Sequence, residues 1–231
     1  MNPEKRRELL ALYNRLRVAD VRDGMDTLGL HPTGSMSPDI RPLWRTRAHG
    51  IARTARYVLF DGVVPKLDPD AYWNWVKTYY REVCPYSWQN ELEEGDFVVI
   101  DQSGLNVGLM GSANTLGCIE KGARAFVSNG GVRDTDEVIL QKVPFWSAMC
   151  SQTMVQARLK YASHNEPVSV GGVLVHPGDV VVADGDGVVV VPQAVAREVG
   201  RYAATERKRD MAGRRKSYEK LGIPLDKTVE E

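Results

Sequence analysis

The chain has 231 residues, of which 43% are hydrophobic and 26% charged, which is ordinary for a globular protein with a real core. Lys plus Arg equal Asp plus Glu at 30 each, so the overall charge predicts neither nucleic acid nor an anionic membrane as a partner. Its three cysteines show no paired spacing, so the sequence predicts neither a disulfide framework nor a zinc knuckle.

The N-terminal end predicts two helices and a strand. Residues 3–16 carry an apolar stripe on one face, as in an amphipathic helix, and residues 18–28 predict a second helix. Residues 49–59 predict a strand in which Gly50 marks a bulge or a close backbone approach. The N-terminus is charged and lacks the apolar region of a secretory signal, and no apolar run is long enough for a membrane span. We therefore expect a cytoplasmic protein.

Residues 61–90 are rich in Trp, Tyr and Pro. Asp68 or Asp70 begins a predicted helix with an aromatic stripe that includes Trp73 and Tyr79. Such a stripe is typical of a core or of a subunit contact, and the alternative is the wall of a substrate pocket. Both interpretations remain open at this point.

A continuous apolar run, FVVID, predicts a buried strand that Asp101 closes. The stretch after it reads as loop, helix, strand and loop, with the helix ending at Gly122 and a short strand at residues 125–127. The small residues 128–131 predict a close turn of the backbone.

This turn would place Arg133 and Asp134 at the carboxyl end of the strand, where open α/β sheets bind ligands. A guanidinium binds carboxylates and a carboxylate holds divalent cations, so together they would stabilise an enolate. The alternative is structural: Asp134 begins a helix, and Glu137 stands where a capping-box partner would be. The two roles are compatible.

The C-terminal third begins with β-structure. Residues 167–192 are short Val-rich runs separated by Gly turns, and Asp184 and Asp186 match part of a calcium loop but are better explained by a hairpin turn. Residues 193–221 predict a long helix interrupted by Gly213, followed by a loose tail. The helix is basic in its second half, but interleaved acidic residues favour a solvated face over RNA binding.

These elements predict a single α/β domain. Its core would cover residues 17–195, with an N-terminal helix at 1–16 and a C-terminal helix and tail at 196–231. The sequence contains no internal repeat and no linker-like segment.

Three ordered motifs resemble those of the RraA-like family. DGMDTLG at 23–29, GARAFVSNGGVRD at 122–134 and the Val-rich segment at 167–192 are similar to its DALDxLG, GxxGxVxDGxxRD and C-terminal signatures. The family includes regulators of ribonuclease activity and class II pyruvate aldolases acting on 4-hydroxy-4-methyl-2-oxoglutarate and 4-carboxy-4-hydroxy-2-oxoadipate.

The resemblance implies an α/β/β-sandwich-type fold in homotrimers or homohexamers, with active sites at subunit interfaces. It implies that Arg133 binds the pyruvyl group of a small carboxylate substrate and that Asp134 holds Mg²⁺ or Mn²⁺. It also implies substrate contacts from the loop and helix start that precede the motif, at Gly111, Ser112, Ala113 and Asn114.

The chain departs from the family pattern at three places. Ser112 stands where the aldolases have an acid, and Ser cannot supply the negative charge that orders water near the metal. WSAMCSQT at 146–153 replaces the usual FARG segment, and the aromatic segment at 61–90 is longer than expected. These changes leave the exact substrate open.

The predicted function is a divalent-metal-dependent carbon–carbon lyase, an aldolase or decarboxylase, acting on a 2-oxo acid or related hydroxy acid through a metal-stabilised enolate. The alternative is a non-catalytic regulator that binds an RNA-processing enzyme. The acid missing at position 112 favours the regulator, whereas Arg133 next to Asp134 favours the enzyme.

Overall fold

A computed structural model describes residues 1–230, so Glu231, the last residue of the predicted tail, lies outside the described residues. Six α-helices lie in this part of the chain. They are α1 (Pro3–Leu12), α2 (Val18–Thr27), α3 (Pro69–Glu82), α4 (Ser112–Glu120), α5 (Thr135–Leu140) and α6 (Ala196–Leu221). None of these helices is both long enough and apolar enough to cross a membrane.

Eleven strands accompany the helices in the described residues. They are β1 (Arg41–Pro42), β2 (Ala48–Leu59), β3 (Asp96–Asp101), β4 (Gly108–Met110), β5 (Ala123–Val132), β6 (Phe145–Cys150), β7 (Leu159–His164), β8 (Val168–Val170), β9 (Val173–Val175), β10 (Val180–Asp184) and β11 (Gly187–Val191).

The main sheet has the order β1-β6-β5-β3-β2-β10-β11. Strands β2, β3, β5 and β6 are parallel neighbours, and β4 adds a short parallel pairing to β5. Antiparallel strands complete the sheet, with β1 beside β6, β10 and β7 on β2, and β11 beyond β10, while β8 and β9 form a separate hairpin. The predicted α/β class is confirmed.

Three apolar clusters hold these layers together. The first packs the aromatic segment, α4 and α5 on one face of the parallel strands, and the second packs the β8–β9 hairpin on the other face. The third joins α1, α2 and α6 to strands β10 and β11. Both ends of the chain therefore pack on the same part of the sheet.

Several predicted elements are confirmed with close boundaries. Strand β3 is buried along its whole length, as its continuous apolar run predicts. Gly50 is a close backbone approach, because a Cβ there would lie 2.7 Å from the carbonyl oxygen of Gly95. In the apolar stripe of the first helix, Leu9 and Leu10 are buried.

The prediction of a turn at residues 128–131 is wrong. These residues continue β5 as far as Val132, because β4 and β6 both pair with Gly131 and Val132 at its carboxyl end. The small residues are needed for close packing rather than for turning: a Cβ at Gly131 would lie 2.6 Å from the Ser151 Cβ. Strand β7 was not predicted, since its sequence, LKYASH, shows no clear alternation.

The predicted break at Gly213 is also wrong, because α6 is continuous. A single glycine in a helix costs only about 1 kcal/mol relative to alanine, which packing and neighbouring turns offset. The tail is not loose either. Val229 is buried, and Arg214 donates a hydrogen bond to the carbonyl oxygen of Thr228.

Most of the aromatic side chains in the aromatic segment lie in the core or pack against it. Trp88 is fully buried and donates from Nε1 to the Tyr57 hydroxyl at 2.8 Å, and Tyr79 donates to the Leu159 carbonyl oxygen. Trp73 lies outside this core, since 56% of it is exposed, and for this residue the subunit contact and the pocket wall both stay open.

Candidate functional site

The candidate site lies where strands β4 and β5 end. The two strands are parallel, with Gly108 opposite Gly131 and Met110 opposite Val132. The Arg133 amide then donates to the Met110 carbonyl oxygen at 2.9 Å. This register brings the chain after β4 next to the chain after β5, as the sequence predicts for a sheet edge.

Arg133 and Asp134 form an ion pair at this edge. The Arg133 Nε donates to the Asp134 Oδ1 at 3.0 Å, and the two side chains are 34% and 35% exposed. The pair is therefore reachable by a ligand while still being held by the protein.

The predicted capping role of the Asp134 side chain is wrong, and with it the capping box to Glu137. Asp134 does occupy the first position before α5, but its carboxylate makes no capping hydrogen bond. Capping residues usually have extended backbone angles, whereas Asp134 is left-handed, with φ 52° and ψ 41°. Its carboxylate contacts the start of α4 instead.

The start of α4 is fitted closely around this carboxylate. The Ser112 amide donates to the Asp134 Oδ2 at 3.3 Å. Gly111 has an extended backbone that any residue adopts, but a Cβ there would collide with the Asp134 carboxylate and lie 3.1 Å from the Arg133 Cγ. A larger residue at 111 would therefore displace the Asp134 carboxylate from its present position.

Four of the six predicted site residues therefore lie together: Gly111, Ser112, Arg133 and Asp134. Ser112 and Arg133 each donate a hydrogen bond to Asp134, and Gly111 lies so close to the pair that no free space is left for a Cβ. Ala113 and Asn114 follow on the first turn of α4, where both are at least partly exposed. In the described residues, neither side chain contacts the ion pair through a hydrogen bond. Their contribution lies in the backbone, because amides in the first turn of a helix lack partners within the helix and favour anions.

A network of polar side chains that the sequence analysis missed supports the end of β5, just before Arg133. The Asn129 side chain accepts from the Gln102 amide at 2.7 Å and donates to the Asp101 carboxylate at 2.8 Å. Gln102 Nε2 donates to the Gly131 carbonyl oxygen at 3.1 Å, two residues before Arg133. The signal in the sequence was the pair of polar residues directly after the apolar run of β3.

The aromatic segment also supports the site. The Tyr86 hydroxyl donates to the Leu109 carbonyl oxygen in β4 at 2.7 Å. This bond anchors the strand that delivers Gly111 and Ser112. The segment therefore acts on the site through the backbone of β4.

The residues of the candidate site fit a divalent cation that is bound through a single carboxylate, that of Asp134. Within residues 1–230 no three His, Cys, Asp or Glu side chains form a group that would enclose a metal ion. Each Asp134 oxygen accepts one hydrogen bond, which leaves a lone pair on each for a cation. Mg²⁺ commonly binds through one or two carboxylates and keeps several waters, so this donor set suits it.

Two other candidates in the sequence are structural. Burial raises the pKa of the Cys118 thiol to about 12, which makes it a poor nucleophile. The Asp184 carboxylate accepts hydrogen bonds from the Val18 and Asp186 amides, and Asp184 pairs with Gly187 across the β10–β11 turn. The hairpin interpretation is confirmed.

Comparison with known proteins places the chain in a family. Residues 18–190 match the model of the RraA-like family, described as Aldolase/RraA. The chain belongs to the RraA-like family. The match covers β4, α4 and β5 and therefore the whole candidate site.

Several relatives carry the name putative 4-hydroxy-4-methyl-2-oxoglutarate aldolase, two of which serve as examples. The protein from Halalkalibacterium halodurans is 32% identical over 133 residues, which are 54% of this chain and 60% of that protein. The protein from Ectopseudomonas mendocina is 34% identical over 104 residues, or 45% of this chain and 64% of that protein. The matches thus span less than two thirds of either relative.

A solved structure shares the fold over nearly the whole chain. It is RraAS2 of Streptomyces coelicolor, described as an unusual member of the RNase ES inhibitor RraA protein family. The TM-score is 0.70 at 28% identity, and the alignment covers 90% of this chain and 96% of RraAS2. The predicted RraA-like fold is confirmed.

Proposed function

We propose that the protein is a divalent-metal-dependent carbon–carbon lyase, an aldolase or decarboxylase, that acts on a 2-oxo acid or a related hydroxy acid. The observation that carries this proposal is the partly exposed Arg133–Asp134 pair, held at 3.0 Å beside the start of α4. Relatives named as putative 4-hydroxy-4-methyl-2-oxoglutarate aldolases support the same reaction class.

For an aldol substrate, the reaction breaks the bond between C3 and C4 of a 4-hydroxy-2-oxo acid. The 4-hydroxyl loses its proton, the electron pair of the broken bond moves onto the 2-oxo group as an enolate, and a proton added at C3 gives the smaller 2-oxo acid. In a decarboxylation of oxaloacetate, carbon dioxide leaves in place of the aldehyde or ketone. Both reactions need negative charge to be stabilised at the 2-oxo oxygen.

Arg133 would bind the substrate carboxylate and the developing enolate charge, because its guanidinium carries a permanent charge and several donors. The Ala113 and Asn114 amides would bind carboxylate oxygens at the start of α4. Asp134 would hold Mg²⁺ or Mn²⁺, and the bound cation supplies Lewis acidity at the 2-oxo group. Gly111 leaves room for these groups to converge.

The test is pyruvate release from oxaloacetate and a panel of 4-hydroxy-2-oxo acids, with Mg²⁺, with Mn²⁺ and with EDTA. We expect turnover of at least one substrate that requires the metal. Asp134→Asn should abolish both turnover and a saturable Mn²⁺ signal in calorimetry, whereas Asp136→Asn, on the exposed first turn of α5, should keep both. No turnover with any substrate would contradict the proposal.

A non-catalytic regulator that binds an RNA-processing enzyme is the second candidate. Ser112, in place of the family's acid, favours it, as does the similarity to RraAS2. Co-purification with a ribonuclease that persists in EDTA and in Asp134→Asn, together with no metal binding, would support the regulator over the enzyme.

We further propose that the chain assembles as a homotrimer or homohexamer that completes the site at a subunit interface. Several large apolar side chains at residues 59–73 are exposed, among them Val63 at 90% and Trp73 at 56%. Apolar surface of this kind is typical of a contact with another chain. Light scattering at micromolar concentration tests this assembly, and a stable 25.7 kDa monomer would contradict it.

A further inference from the structure

A concave region lies at the edge of the parallel strands opposite Arg133. Its volume is about 720 Å³, within the usual range for small-molecule sites. The β10–β11 turn forms one side, and this turn adjoins the start of β2 because Ala183 pairs with Ala48. The candidate lyase site follows the carboxyl end of β5, so the two regions are separate.

Six cationic side chains line this region, which we call the basic cavity: Arg17, Arg45, Arg47, Arg207, Arg214 and Lys227. Two carboxylates, Asp184 and Asp186, also line it. Counting Asp20 and Asp210, which pair with Arg17, still leaves two more positive than negative charges. This local excess occurs in a chain whose formal net charge is zero.

Three of these cations have no carboxylate within 4.0 Å among residues 1–230: Arg45, Arg207 and Lys227. Arg214 pairs with Asp210, but its Nε is buried and donates to no acceptor in the described residues. Burial lowers the pKa of Arg207, Asp20 raises it in part, and the positive charges of Arg17, Arg47 and Arg214 lower it again. The carboxylates around the cavity are fewer than its cations, so repulsion among the cations favours a bound anion.

Four separate segments of the chain bring these charges together. They are the start of α2, the loop before β2, the middle of α6 and the tail after α6. The tail is held in place, since Tyr218 and Arg214 both bond to Thr228. The cavity is therefore built by tertiary structure rather than by a run of basic residues.

The spacing of the cations indicates a ligand with more than one anionic group. Arg207 and Arg214 are seven residues apart on α6, or about 10 Å along the helix axis. Guanidinium groups bind phosphate through paired hydrogen bonds. We propose that the basic cavity binds a small molecule that carries two or more phosphate groups.

Inorganic pyrophosphate is the probe for a calorimetric titration of the full chain without added metal. We expect one saturable site per chain, bound at least roughly tenfold more weakly by Arg207→Gln and by Arg45→Gln, since each change removes charge-assisted hydrogen bonds. Arg201→Gln, an exposed position on α6 outside the cavity, is the matched control and should bind like the unmodified chain. Circular dichroism confirms that each variant is folded.

The proposal would be overturned by the absence of saturable pyrophosphate binding, by equal weakening in the Arg201→Gln control, or by citrate competing as well as pyrophosphate. Binding of a single-stranded RNA without pyrophosphate binding would also overturn it, as would loss of an oligomer in Arg45→Gln and Arg207→Gln without any effect on pyrophosphate. Because binding is measured directly, the result does not depend on the proposed lyase activity.

Discussion

At the carboxyl edge of the sheet, Arg133 and Asp134 form an ion pair in which each side chain is about one-third exposed. At the amino edge, Arg17 pairs with Asp20, whose side chain is only 2% exposed. A buried carboxylate that loses its partner leaves an uncompensated charge, whereas an exposed pair adds little to stability. The amino-edge pair therefore holds the structure, and the carboxyl-edge pair is available for chemistry.

The backbone supports the same contrast. Asp20 lies inside α2 and bonds back to the Arg17 amide at 2.8 Å, which stabilises the start of the helix. Asp134 is held in a left-handed conformation, which costs energy for a residue other than glycine. Changes at the carboxyl edge should thus alter activity, and changes at the amino edge should alter folding.

The largest expected effect is on activity, in Arg133→Ala. Pyruvate release should fall at least about a hundredfold, because the substrate carboxylate and the enolate both lose their cation. The free energy of unfolding should change by less than about 1 kcal/mol, since the pair is exposed. Arg215→Ala, which breaks another exposed pair, is the control for activity. Retained turnover in Arg133→Ala would show that the pair at the carboxyl edge is not needed for activity.

Ser112→Asp tests the position where the chain departs from its family. The Ser112 amide lies 3.3 Å from the Asp134 Oδ2, so a carboxylate here adds charge beside the proposed cation. If the native site is an aldolase with a weakened acid, cleavage of a 4-hydroxy-2-oxo acid should rise on the order of a hundredfold. If Ser112 reflects a changed anionic substrate, the native activity should fall instead. Unchanged kinetics would show that position 112 lies outside the site.

Asp20→Asn tests the amino edge by stability. Removing this buried charge should lower the free energy of unfolding by about 2 kcal/mol, because Arg17 loses its main partner. Urea denaturation measures this loss, with Glu219→Gln on an exposed pair as a control expected to stay within about 0.5 kcal/mol. A loss no larger than that of the control would mean that the two edges do not differ.

The smallest expected effect is a pH dependence at the amino edge. His49 is the second residue of β2, and burial, together with the nearby Arg124, lowers its pKa below the ordinary value of 6.5. The unfolded chain then binds more protons, so the contribution of neutral His49 is complete above pH 6.5 and decreases as the pH falls toward its folded pKa. In His49→Gln, the free energy of unfolding should depend less on pH between about pH 7 and about pH 5. An unchanged slope would assign the dependence to other groups.

The sequence by itself determined the main elements of the fold and the position of the candidate site along the chain. Continuous apolar runs such as β3 must be buried, and local rules placed Arg133 and Asp134 after β5. These features depend on residues close together in the chain, which is why they were predictable.

Only the tertiary structure decided which groups the side chains at those positions contact. The Asp134 carboxylate turns to Ser112 rather than capping its own helix, because pairing of β4 with β5 brings the start of α4 beside it. The strand through residues 128–131 likewise depends on its neighbours on both sides. The basic cavity brings together positions 17, 45, 207 and 227, which are far apart in the sequence. The formal net charge of the chain is zero, so only folding reveals that positive charge is concentrated at this place.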